Sequence, residues 1–450
     1  MRSLLSLVVL APVLGQTARC ESVAARTTQA ARSLSPADGP LDKLELVVPF
    51  YEGILIRNPI SALPKVNLLH FQLAYPGTLS APFIAWRFGE GAWSVLYADS
   101  LSALPAALDL GMTSKDVQFR LTSYVPCTFK TLEVQGSWNV MARTLRSRWN
   151  VAKPRRRLSD DFDWISFYVH RFVADRDEPL RTEWTADRLA QEMRCVKPRT
   201  LVHVYGLDPS GVDLGGKYLW SKDAEATTRE VIGANPNVAH FAWLNLRTFK
   251  TVIPRLNLTA PVDQDVRKMA KVYPDGIRNG ESYCFKTLEM CPASEGWQAS
   301  RLRQFDRLVS FGFRVIQLDE FPIPCVWHLE PCRSREHLHR PGDAADEWSK
   351  TLQFVAKLSE RAEAKGVLLT CEEPCAALLP HVSGYIDRQF NANCDLIYAP
   401  WTKSRSIHPV PLFSTMFGEV VTPFTDVDDV ELARTPPGAW LHAHKLKARH

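Results

Sequence analysis

The sequence predicts an α/β fold: a (β/α)8 TIM-like barrel preceded by an antiparallel β-sandwich domain. Three observations predict it. Residues 44–135 carry short β-like runs separated by turn residues. From residue 164 onward, strand-like apolar runs alternate with helix-like segments, the pattern of parallel βα units. Two of those runs end in paired carboxylates, Asp319-Glu320 and Glu372-Glu373. Acids delivered at the carboxyl end of a buried strand are how α/β barrels build active sites.

The chain opens on a positive residue, Arg2, then a short apolar run, Leu4 to Leu14, then small residues from Gly15 to Ala18. This is the layout of a cleaved secretory leader over residues 1–18, too short to span a bilayer. Arg19 ahead of Cys20 argues against a lipoprotein signal. The expectation is a secreted or periplasmic protein. Residues 19–43 lack apolar periodicity and read as a linker. The sandwich, 44–135, is built from runs such as LELVVPFYEGILI, APFIAWRF and DVQFRLTSYV, with turns at Asn58-Pro59, Pro76-Gly77 and Gly89 to Gly91. Its aromatics Trp86, Trp93 and Tyr97 suit a core, or a surface that stacks on sugar rings.

The barrel is assigned to 136–425. Trp138, Met141, Ala142, Leu145 and Trp149 share one face of a helix over Gly136 to Trp149. The strand candidates are 164–172, 200–208, 238–246, 313–321, 366–373, 394–400 and 410–419. The helix candidates include Thr185 to Cys195, Trp297 to Phe311 and Ala344 to Lys365. Seven strands are one short of closure, so either one strand escapes this reading or the barrel is incomplete or irregular. Residues 426–450 read as a basic tail. There is no internal repeat.

Composition narrows the function. With 54 basic and 49 acidic residues the net charge is +5, and the basic clusters at Arg155 to Arg157 and Lys445 to Arg449 sit in no nucleic-acid motif. No nucleic-acid or membrane partner is assigned, and the oligomeric state is left open. Among the ten cysteines, Cys325 and Cys332, and Cys371 and Cys375, lie close in sequence, and their pairing is open.

The chemistry points to a glycosidic bond. Glycoside hydrolysis needs two carboxyl groups from different places in the chain, one to donate a proton and one to attack or to activate water. Asp319 is preferred over Glu320 because it shares a strand face with Gln317. It is assigned as nucleophile or base, and Glu372 as general acid. The substrate-binding candidates are Asn245, Arg247, Glu320, Trp327, Cys332, His337, His339, Glu373 and Glu419, with Tyr205 and Asp208 at a further strand outlet. Capping of the following helices is the ordinary alternative for these acids. Cys332-x4-His337-x-His339 has spacing that can ligate zinc, yet it lacks repeated Cys-x2-Cys pairs. The loop is therefore read as substrate-facing, and no metal or cofactor is assigned.

An ordered series of short motifs carries a resemblance. MCPASEGWQ (290–298), GFRVIQLDEF, the Cys332/His337/His339 loop, LLTCEEP and HPVPLF (408–413) follow IRNPI (56–60), YPG (75–77), GSWNVMARTLRSRW and AWLNLRTF. The series resembles a family of uncharacterised glycoside-hydrolase-like (β/α)8 barrel proteins with an amino-terminal β-sandwich. That family is distantly similar to α-galactosidase-type barrels. The resemblance implies a carbohydrate-active barrel with acids at the LDE and TCEE strand ends. The chain departs from the family at Leu338, where Gly is usual, and at Glu320, where an amide is usual. The expected function is a secreted glycoside hydrolase with a carbohydrate substrate. The alternatives are a non-catalytic carbohydrate-binding or surface protein on a degenerate barrel, and a metal-dependent hydrolase using the Cys/His loop.

Overall fold

Apolar alternation in the first domain produces two antiparallel sheets packed face to face. The computed structural model describes residues 28–60, 68–102, 104–149, 156–168, 186–204, 224–253, 258–259, 262–282, 285–322, 330–387, 407–417, 421–423 and 442–445. One sheet orders Thr28–Leu34, Val117–Ser123, Ala106–Thr113 and Leu68–Tyr75; the other contains Ile54–Arg57, Leu44–Val48, Phe83–Phe88, Trp93–Ala98 and Phe129–Val134. Trp86 and Trp93 are buried, with Trp86 against Phe119 at 4.9 Å between ring centroids, so these aromatics fill the core. The sandwich reaches into the stretch expected to be linker. Thr28–Leu34 is an edge strand pairing with Val117–Ser123, and only Leu34 is buried. A strand burying one residue shows no apolar period, which is why the sequence hid it.

Among the described residues the second domain is an eight-stranded sheet in barrel order. We number its strands β1 Trp164–Tyr168, β2 Thr200–Val204, β3 Val238–Asn245, β4 Val315–Asp319, β5 Leu368–Cys371, β6 Tyr385–Asp387, β7 Val421–Pro423 and β8 His442–Lys445. Strands β1 to β7 are parallel and sequential; β8 lies antiparallel to β1. The eighth strand comes from the stretch read as a basic tail. Alternation along the strands separates two apolar faces. Phe241, Trp243, Val315, Leu201 and Leu368 form one buried cluster, while Ala242, Leu244, Ile316, Leu318 and Leu369 join another with the surrounding helices.

The helices form as their spacing predicts. Glu295–Phe311 stops at Gly312, whose φ of 103° is left-handed and whose N–H closes on the Val309 carbonyl at 3.0 Å. Ala344–Ala364 is capped by the Asp343 side chain, which accepts from the Asp346 N–H at 3.0 Å. The two helices meet where Arg361 Nε donates to Asp306 at 2.7 Å. Ala186–Arg194 and Trp138–Arg148 are also present. No helix among the described residues is long and apolar enough to cross a membrane.

Within the expected strand 410–419, Leu412–Phe417 is a helix, and residues 418–419 lie outside the described residues. Leu412, Phe413, Met416 and Phe417 are buried, a helical spacing that a short apolar run conceals. Just before it, Ile407–Pro409 pairs with Ile54–Arg57 of the sandwich. The sandwich turn caps the helix: Phe413 N–H donates to Glu52 O at 2.7 Å and Ser414 N–H to the Glu52 carboxylate at 2.9 Å. The candidate strand 394–400 lies outside the described residues.

Two stability predictions follow from this packing. Gly53 has φ 141°, and a Cβ there would stand 2.3 Å from Leu412 Cβ. Gly53→Ala is expected to lower unfolding free energy by about 3 kcal/mol in urea titrations, against about 1 kcal/mol for Gly276→Ala, where a Cβ meets open space. His240 in β3 is buried, and burial, then His203, pushes its pKa from 6.5 to about 4. A depressed histidine binds protons more readily when unfolded, so its contribution is complete above pH 6.5 and is lost as pH falls towards 4. His240→Leu is expected to remove roughly 3 kcal/mol of the stability difference between pH 7 and pH 4.

Candidate active site at the carboxyl ends of adjacent strands

Three consecutive parallel strands, β3 to β5, end together. Asn245 pairs in register with Asp319, and Leu318 with Cys371, so Asp319 and Glu372 leave neighbouring strands at the same level. One face carries Trp243 and Asn245 of β3 and Gln317 and Asp319 of β4. Trp243 Nε1 donates to Gln317 Oε1 at 3.2 Å, and Asn245 Nδ2 to Asp319 Oδ2 at 3.2 Å. The Asn245 amide cannot turn round, because its Oδ1 accepts from the N–H groups of Arg247 (3.0 Å) and Thr248 (2.7 Å). Its NH2 group must therefore face the carboxylate.

Glu320 completes the junction through its backbone. Its φ is 53°, left-handed for a residue with a side chain. That turn aims its N–H at Glu372 Oε2, 2.8 Å away, while Glu372 N–H donates to Phe321 O at 3.2 Å. Glu372 is 5% exposed and Asp319 and Glu320 are half-buried. Glu373 is buried beside Cys371, whose thiol is pushed well up by burial first, then by Cys375 and the Glu373 and Glu372 carboxylates. Described Cys371 and Cys375 are free thiols.

The other expected binding residues gather elsewhere. Arg247 is 1% exposed and donates to Glu289 Oε1 at 3.2 Å, with its guanidinium 5.7 Å from the Trp348 ring centroid. Burial opposes its charge, but Glu289 and then Glu347 outweigh burial and raise its pKa. Tyr273 O–H also donates to Glu289. Burial, then Glu289, pushes this tyrosine well above its ordinary value. Arg247 is thus committed to an internal ion pair.

Cys332, His337 and His339 are buried together with Cys291, and one ligand atom from each lies within 4.8 Å of the others. Cys291 Sγ is 3.5 Å from His339 Nε2, and Cys332 Sγ is 3.4 Å from His337 Nδ1. Their bonds run to each other and to nearby backbone. The Cys332 thiol is pulled down by the Cys291 hydrogen bond and, against burial, by both histidines, while burial raises that of Cys291. Trp327, Glu419, Tyr205 and Asp208 lie outside the described residues.

Sequence reasoning overlooked Cys291 and Trp243. The first sits in MCPASEGWQ with no fixed spacing to the loop histidines. The second was findable, two residues before Asn245 on the same strand face.

No family profile matches the chain, and no curated protein matches it. Solved structures do. The α-N-acetylgalactosaminidase NagBb of Bifidobacterium bifidum, in complex with GalNAc, superposes with TM-score 0.60 at 14% identity, covering 88% of this chain and 66% of that one. Its complex with Gal-NHAc-DNJ gives 0.59 at 14%, covering 84% and 63%. The α-galactosidase TtGalA of Thermus thermophilus, with p-nitrophenyl α-D-galactopyranoside, gives 0.50 at 12%, covering 84% and 76%. The chain therefore spans just under two thirds of the NagBb length. It shares with these enzymes a (β/α)8-type barrel fold carrying an amino-terminal β-sandwich.

Asn245→Ala would strip a donor from Asp319 and an acceptor from two backbone N–H groups. Unfolding free energy is expected to fall by about 2 kcal/mol, measured by urea denaturation.

Proposed function

We propose that this chain is a secreted or periplasmic glycoside hydrolase that uses Asp319 and Glu372 as its catalytic pair. The observation that carries the reading is their emergence from adjacent parallel strands at one level, coupled through the Glu320 N–H that bonds Glu372 at 2.8 Å. Glycoside hydrolysis demands two carboxyl groups converging on one bond. The fold shared with NagBb and TtGalA supports this reading.

The roles follow from the surroundings. Asn245 donates to Asp319 Oδ2, a bond that serves an ionised carboxylate. An ionised group is what attack on the anomeric carbon, or activation of a water against it, requires. Glu372, more deeply buried, carries the proton delivered to the leaving oxygen. As the glycosidic C–O bond breaks, that oxygen takes the Glu372 proton, and the anomeric carbon gains its new bond on the Asp319 side. The first substrates to try are α-galactosides and N-acetyl-α-galactosaminides, from the named activities of the two neighbours.

Asp319→Asn and Glu372→Gln are each expected to lower kcat at least about a thousandfold on p-nitrophenyl α-galactoside or N-acetyl-α-galactosaminide, with circular dichroism unchanged. The Glu372→Gln loss should be greater on an alkyl glycoside, whose leaving group needs the proton more. Undiminished turnover in either variant rejects the pair. Glycan binding by the wild-type chain without release of reducing sugar would instead support the non-catalytic reading.

A further inference from the structure

The Cys/His group described above has no part in the proposed hydrolysis, yet its chemistry is specific. Two thiols and two imidazoles, all buried, converge with one ligand atom each within 4.8 Å. A tetrahedral zinc with Zn–S of about 2.3 Å and Zn–N of about 2.0 Å sets sulfur–nitrogen edges of about 3.5 Å. The two sulfur–nitrogen separations here are 3.5 and 3.4 Å.

The outer partners have the arrangement that metal-bound histidines use. His337 bonds the Lys268 carbonyl through Nε2 at 2.8 Å, and His339 bonds the Arg340 carbonyl through Nδ1 at 3.0 Å. A carbonyl only accepts, so each of those nitrogens carries the hydrogen. In the neutral ring the lone pair then sits on the other nitrogen, the one facing the cysteines. The Val272 N–H donates to Cys332 Sγ at 3.4 Å, a bond that favours a thiolate there.

We infer that Cys291, Cys332, His337 and His339 form a closed Cys2His2 site for a structural zinc ion. Thiolate and imidazole donors select zinc over calcium or magnesium, which take oxygen. Four protein ligands leave no open position for water or substrate, so the ion is structural and not catalytic. Two thiolates balance its charge. The site joins two barrel loops. Cys291 ends the excursion that follows β3, and the other three lie on the loop that follows β4. These are the strands that end in Asn245 and Asp319. The ion would therefore pin together the two loops flanking the candidate active site.

Metal content tests this without any substrate, so its outcome is independent of the assignment of Asp319 and Glu372. The full chain, purified without chelator and gel-filtered after incubation with zinc, should hold about one equivalent by mass spectrometry of the metal. Cobalt(II) loaded after chelator stripping should give the intense visible bands of a tetrahedral site and near-ultraviolet thiolate charge transfer. Cys291→Ser and His339→Ala should lower zinc content at least tenfold, while Cys195→Ser, at an exposed cysteine, should not. Should those variants fail to fold, cobalt spectra of the stripped wild-type chain still decide. A wild-type chain that retains no zinc, a six-coordinate cobalt spectrum, or a Cys291–Cys332 disulfide in peptide mapping would each overturn the inference.

Discussion

The site depends on the register of the parallel ladders joining β3, β4 and β5. Side chains alternate along a strand, so slipping one residue would carry Asp319 to the face packed on helices. Two forces fix the register. On one face, Ile316, Leu318 and Leu369 share a buried cluster with Phe305 and Leu308 of one helix and Phe354 and Leu358 of the next. On the other, Trp243 bonds Gln317 and Asn245 bonds Asp319, both across registered pairs. The apolar face supplies most of the energy, at roughly 25 cal/mol per Å2 buried. The polar pairs supply the specificity, because each is satisfied in only one alignment.

Glu320 holds the one left-handed residue in this stretch. A non-glycine residue there costs of order 1–2 kcal/mol. The turn is retained because it presents a backbone N–H to a buried carboxyl oxygen of Glu372, and a buried acceptor is costly to leave unbonded. The same turn ends β4 immediately after Asp319. The strain and the placing of two acids side by side have a single geometric cause.

Much of this was legible in the sequence, for physical reasons. Val315–Asp319 and Leu368–Cys371 are short apolar runs stopped by acids, and Glu295–Phe311 and Ala344–Ala364 are long segments with helical spacing. Both signals are local. What was not legible is long-range or short-lived in the chain. Leu412–Phe417 buries four of its six residues, and its polar face is only Ser414 and Thr415, too short to show a period. Thr28–Leu34 buries one residue and is a strand because Val117–Ser123 supplies its hydrogen bonds. Arg247 and the loop histidines read as polar groups near strand ends. Only the fold shows that Glu289 and Cys291 claim them.

The excursion between β3 and its helix raises the question of how a long insertion leaves Asn245 undisturbed. It carries strands Thr248–Ile253, Asn279–Ser282 and Phe285–Glu289 and helix Gln264–Met269. Its two ends meet: the Met290 N–H donates to Arg247 O at 2.6 Å, and Arg247 bonds Glu289. The exit of β3 is held from outside the insertion as well. Trp297 Nε1 donates to Leu246 O at 2.7 Å, and Leu246 N–H to Asp319 O at 3.3 Å. Closing a loop costs only logarithmically with its length once its ends are fixed. The insertion can therefore grow and acquire its own sheet while the barrel sees a short connection. The loop after β4 docks on this insertion, with Arg333 N–H on Val272 O at 2.8 Å and Leu338 N–H on Ala293 O at 3.0 Å. Each loop is thus anchored to the other as well as to its own strand, by contacts that do not involve the two carboxyl groups.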